Sequence, residues 1–95
     1  MPERKRDVSG VWQHITEGVG TANWTLNPIG GNRYEAKEDG LGQGIGTAVL
    51  NGNHLQIDFV ATGNVGRYEW VLDPDFTSGV GTLGGIYKSR LIRIK

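Results

Sequence analysis

Cysteine is absent from the 95 residues, which excludes a disulfide framework and any thiolate chemistry. An excess of charge is absent too. Ten Lys plus Arg offset ten Asp plus Glu, leaving no electrostatic footprint for nucleic acid or an anionic membrane. No apolar run approaches the roughly 20 residues of a membrane helix. The charged start, Met1 to Asp7, is followed by no apolar segment of the kind a signal peptide requires. The expectation is a cytoplasmic chain as written, with the compartment left open. No stretch of ten residues carries a capped 3.6-residue apolar period, so helices are not expected.

Chemical motifs are equally sparse. The two histidines, His14 and His54, fall on different strands with no cysteine to complete a zinc set of three or four ligands. Gly79-Val80-Gly81-Thr82-Leu83-Gly84 matches GxGxxG in form, but the residues after it open no helix to hold a pyrophosphate. No cofactor is implied. Ser9, Ser78 and Ser89 sit in turns or at strand ends with no elbow and no adjacent base. Asn23-Trp24-Thr25 is a formal glycosylation sequon, without meaning in a bacterial or cytosolic chain.

What is present is glycine, 16 of 95 residues, more than twice the usual share of about 7%. The clearest local signal is a hairpin. Strands Gly44–Leu50 and His54–Phe59 flank Asn51-Gly52-Asn53, where Asn-Gly offers two residues tolerant of positive φ. Leu55, Ile57 and Phe59 point one way and His54, Gln56 and Asp58 the other, the period of a half-buried antiparallel strand. The remaining strands are Ser9–Thr16, Val19–Asn27, Asn32–Glu38, Val65–Asp73, Thr77–Gly84 and Lys88–Lys95. Residues 1–8 read as a flexible tail and 9–95 as a single β-barrel domain. Eight short strands joined by short turns give an all-β, antiparallel up-and-down meander. A closed barrel, which removes both sheet edges, is favoured over a sandwich.

Internal echoes fit the meander. Arg33-Tyr34-Glu35 returns as Arg67-Tyr68-Glu69, and Gly44-Ile45-Gly46-Thr47 as Gly79-Val80-Gly81-Thr82. That register sets Ile57 and Phe59 against Ile92 and Ile94. A second echo pairs Trp24-Thr25-Leu26-Asn27-Pro28 with Trp70-Val71-Leu72-Asp73-Pro74 in an incompatible register, so duplication and shared hairpin physics both account for it. Alternation predicts a core of Trp24, Leu26, Tyr34, Ala36, Leu55, Ile57, Phe59, Tyr68, Trp70, Leu72, Ile92 and Ile94. It leaves the first and fourth strands open as to face. Glu35 and Glu69 fall on the solvent side, with Lys37 or Arg67 as cross-strand partners.

Gly10-Val11-Trp12 at the start of the first strand resembles the Gly-x-Trp opening of the lipocalin and wider calycin barrels, with avidin-type barrels sharing the general look. The resemblance implies a Trp packed across the barrel base near an arginine of the last strand, for which Arg90 is the match. The chain is shorter than typical lipocalins and lacks their C-terminal helix. No pattern carries over biotin-binding residues.

The functional expectation is non-catalytic binding of a small apolar or aromatic ligand in the barrel interior. Its candidate residues are Trp12, His14, Tyr34, Tyr68 and Arg90, aromatic walls with a few hydrogen-bonding tips. The competing expectation is a packed core, since eight strands leave an interior just wide enough for side chains. The chain is then a protein-interaction or accessory domain acting through loops such as 28–32 and 73–78. A third reading is a small-barrel isomerase or cyclase using Tyr or Glu as acid. No nucleic acid or membrane partner is expected, and the oligomeric state is left open.

Overall fold

The computed structural model describes residues 7–40 and 42–95. Eight strands follow in chain order: β1 (Gly10–Thr16), β2 (Gly20–Gly30), β3 (Arg33–Asp39), β4 (Ile45–Asn51), β5 (His54–Ala61), β6 (Asn64–Leu72), β7 (Ser78–Leu83) and β8 (Tyr87–Arg93). Each pairs antiparallel with the next, and β1 pairs with β8, which closes the barrel. The up-and-down barrel expected from the spacing of turns is the fold observed. Among the described residues there is no helix.

Local departures have local causes. β2 runs through Pro28 to Gly30 instead of stopping at Asn27, because its pairing with β3 shifts register between Pro28 and Gly30. A bulge absorbs the amide that proline lacks. In the β4–β5 hairpin, Asn51 pairs with His54, so the central pair is Gly52-Asn53 and only Gly52 takes a positive φ, 62°. Glycine in the first central position is the alternative hairpin solution to Asn-Gly.

The barrel interior is aromatic. Trp12, Trp24, Trp70 and Tyr68 are all at most 1% exposed, with Leu26, Leu55, Ile57, Leu72 and Leu91 packed among them. Burying each such side chain contributes about 1.5–3 kcal/mol. The two undecided strands resolve: Trp12, His14 and Thr16 face inward from β1, and Ala48 and Leu50 from β4, with Ile45 exposed.

Two expectations are corrected. On β8 the inward face is Ser89, Leu91 and Arg93, whereas Arg90 and Ile94 are exposed and Ile92 is half-buried on the other face. The β1–β8 register decides this, setting Trp12 opposite Arg93 and His14 opposite Leu91. At the N-terminal side, Val8 is completely buried, so Asp7 and Val8 belong with the barrel; residues 1–6 lie outside the described residues.

The glycine echo has a steric explanation. A Cβ on Gly46 would overlap the Asp58 carbonyl, and one on Gly81 the Glu69 carbonyl. Gly46 lies opposite Phe59 and Gly81 opposite Trp70, so each lets a strand press against its neighbour beside a large ring. The echo preserves facing within its motifs, Tyr34 and Tyr68 both buried and Ile45 and Val80 both exposed, and loses it at the end of the register, where Ile57 is buried and Ile92 is on the outer face.

Candidate functional site at the polar end of the barrel

The sequence-derived candidates separate into two ends and an outer wall. At the base, Trp12 donates its indole N–H to the Val8 carbonyl at 2.9 Å, and the Arg93 guanidinium lies 5.0 Å from its ring centroid. Arg93 also donates to the carbonyls of Asp7 (2.9 Å), Ser9 (2.6 Å) and Phe76 (3.3 Å). The Tyr34 hydroxyl donates to Asp7 Oδ1 at 3.0 Å and accepts from the Val8 amide at 3.4 Å. Burial pushes the Tyr34 phenol above its ordinary value, and the Ser9 amide holds the Asp7 carboxyl below its own. The arginine expected beside Trp12 is therefore Arg93, three positions beyond Arg90. Arg90 is exposed on the outer wall between Ile15 and Val80 and is not brought together with the other candidates.

His14 and Tyr68 meet at the opposite end. β1 places His14 and Thr16 on its inner face, β3 contributes Glu38, β6 Tyr68 and β8 Ser89. His14 Nε2 lies 2.7 Å from Glu38 Oε2 and Nδ1 lies 2.9 Å from Thr16 Oγ1. Thr16 Oγ1 meets Ser89 Oγ at 2.9 Å, and Ser89 Oγ accepts the Trp70 indole N–H at 3.0 Å. Tyr68 OH faces His14 Nδ1 at 3.4 Å. His14 is fully buried and Glu38 8% exposed.

One link of this chain has a fixed direction: an indole only donates, so Ser89 Oγ accepts from Trp70. A hydroxyl both donates and accepts, so the Ser89–Thr16 and Thr16–His14 links can run either way. The Thr16 and Tyr68 hydroxyls converge on His14 Nδ1, and His14 Nε2 shares one hydrogen with Glu38 Oε2.

Around this chain the rings stack. Tyr68 lies parallel to Trp70 at 4.8 Å and stacks on Phe59 at 5.3 Å, while Trp24 meets Phe59 and Tyr68 edge-on at 5.5 and 6.1 Å. Burial pushes the Tyr68 phenol up to about 12. Trp24 differs from its neighbours: its Nε1 is buried with no acceptor among the described residues. Such an orphan donor costs about 1–3 kcal/mol. Trp24 is paired directly with Glu38 across β2–β3. Glu38 Oε1 has one partner, the Gly44 amide at 3.3 Å, a long bond for a carboxylate with capacity for more. On the outside of the barrel beside Glu38, a surface cavity of about 370 Å³ is lined by Thr25, Lys37, Glu38, Asp39, Gln43, Gly44 and Ile45.

Sequence reasoning missed Glu38, Thr16 and Ser89. Alternation carries a signal for Glu38, which shares its face with Tyr34 and Ala36. The paired-carboxylate candidates stand apart: Glu35 is exposed, and Glu69 lies 3.6 Å from His54. Arg67 pairs not with a glutamate but with Asp58, at 2.6 Å. Among the described residues no group of three His, Asp or Glu could hold a metal. Neither a family model, nor a curated protein, nor a solved structure matches this chain.

Proposed function

We propose that the barrel binds a small, mostly apolar or aromatic molecule at its polar end, without catalysis. One observation carries the reading: the buried Trp24 indole N–H has no acceptor, in a wall made of Phe59, Tyr68 and His14 rings. Buried donors are paired almost without exception, and one left over asks for an explanation. A ligand carbonyl or ring nitrogen supplies the missing acceptor while the rings take its apolar body. The calycin-like resemblance supports the same reading through Gly10-Val11-Trp12 and the arginine of the last strand over Trp12. Of the five candidate residues, His14 and Tyr68 serve the site, and Trp12 and Tyr34 hold the base on which it stands.

Acetophenone, an aromatic ring bearing one carbonyl, tests this by tryptophan fluorescence. Saturable one-to-one quenching is expected, with affinity about tenfold lower in Trp24→Phe, the loss of one buried hydrogen bond. Linear, unsaturable quenching overturns the reading in favour of a fully packed interaction domain.

A further inference from the structure

Resting on that reading, we infer that the site selects ligands carrying an N–H donor beside the acceptor, the cis-amide edge of a lactam or a related heterocycle. The inference stands on the residue facing Trp24. The two are cross-strand partners, Trp24 on β2 and Glu38 on β3, both directed inward. Side chains so placed start about 4.5–5.5 Å apart at Cβ, close enough for one small molecule to address both. Among the described residues, one side offers a proton that nothing accepts, and the other a carboxyl oxygen whose one partner is the Gly44 amide at 3.3 Å.

The contacts of the carboxyl group give the sign of the demand. His14 Nε2 takes Oε2 at 2.7 Å, while Oε1 accepts from the Gly44 amide and is the acceptor left with capacity. A buried carboxylate recruits donors, and charge-assisted bonds to it are roughly twice as strong as neutral ones. An acceptor-only ligand would satisfy Trp24 and leave Oε1 as it is. A ligand with adjacent N–H and C=O satisfies both. Gly44 and Glu38 also border the surface cavity, so the residues that hold the carboxylate lie next to solvent-accessible space. Gly44 itself carries no side chain to intervene, since a Cβ there would come 3.0 Å from the Trp24 ring and 3.5 Å from Glu38 Oε1.

The probes are 2-pyridone and N-methyl-2-pyridone, which share ring and carbonyl and differ in the N–H. Calorimetry gives the affinities, and the Trp24 indole N–H resonance, assigned by its loss in Trp24→Phe, reports the acceptor contact. The expected result is 2-pyridone binding at least about tenfold more tightly, with that ratio shrinking in Glu38→Gln and the indole resonance moving downfield with both probes. Equal affinity of the two probes overturns this inference and leaves the binding reading standing. If neither probe saturates, both fall.

Discussion

At the base of the barrel the Trp12 and Arg93 donors end on backbone, Trp12 on Val8 and Arg93 on Asp7, Ser9 and Phe76, with Tyr34 on the Asp7 carboxylate as the exception. At the far end side chains meet side chains, Trp70 on Ser89 and His14 with Glu38, and Trp24 ends on nothing among the described residues. The first arrangement knits chain segments together and has no capacity left over. The second assembles polar atoms from β1, β3, β6 and β8 whose mutual satisfaction is complete except at one donor and one weakly used acceptor. Backbone anchoring sits at one end and, on the function proposed above, recognition at the other, on the same set of strands.

The sharpest way to break that contrast is to truncate the base. Trp12→Ala removes a completely buried indole and the surface on which Arg93 lies; a loss of about 3–5 kcal/mol in urea unfolding is expected. A loss near 1 kcal/mol would mean that the base holds little of the fold.

A second test uses pH. Burial pushes the folded Tyr68 phenol up to about 12 from its ordinary 10.0, so the unfolded chain releases this proton first. Tyr68 therefore supports the fold fully below pH 10, and its contribution falls away between pH 10 and 12, by about 2 kcal/mol. Tyr68→Phe should flatten most of that alkaline decline. Tyr34, also raised by burial, should leave a residual slope from the base; an unchanged profile would place the decline elsewhere.

The smallest effect compares two tryptophans. Trp70→Phe removes the N–H that the buried Ser89 hydroxyl accepts, whereas Trp24→Phe removes a donor with no partner among the described residues. Packing losses being similar, Trp70→Phe should be less stable by about 1 kcal/mol. Equal midpoints in denaturant would say that the Trp24 N–H is satisfied in solution.

Much of the fold was legible because alternation and turn chemistry are local. Leu55, Ile57 and Phe59 announce their face within six residues, and Gly52 marks its turn. β8 was misread for a physical reason: Ser89 to Ile94 carries an arginine and apolar residues on both faces, so only its partner, Trp12 on β1, breaks the tie. The site was half visible. His14 and Tyr68 stand out by type, and Glu38 by its place on an apolar face, but its partner His14 lies 24 positions away. The Trp24 orphan was beyond reach, because it depends on which atoms fail to come near.

Seven of the eight strand pairings join consecutive strands, and the eighth, Trp12 through Thr16 against Arg93 through Ser89, joins the first to the last. The largest single loop-closure cost of the fold falls on that seam, and the slowest step of barrel assembly is expected there. A circular permutant reopened at the Gly52 turn, with Lys95 tethered to Asp7, would keep all eight pairings and shift the burden of closure to the β4–β5 hairpin. The ring of strands has no privileged beginning.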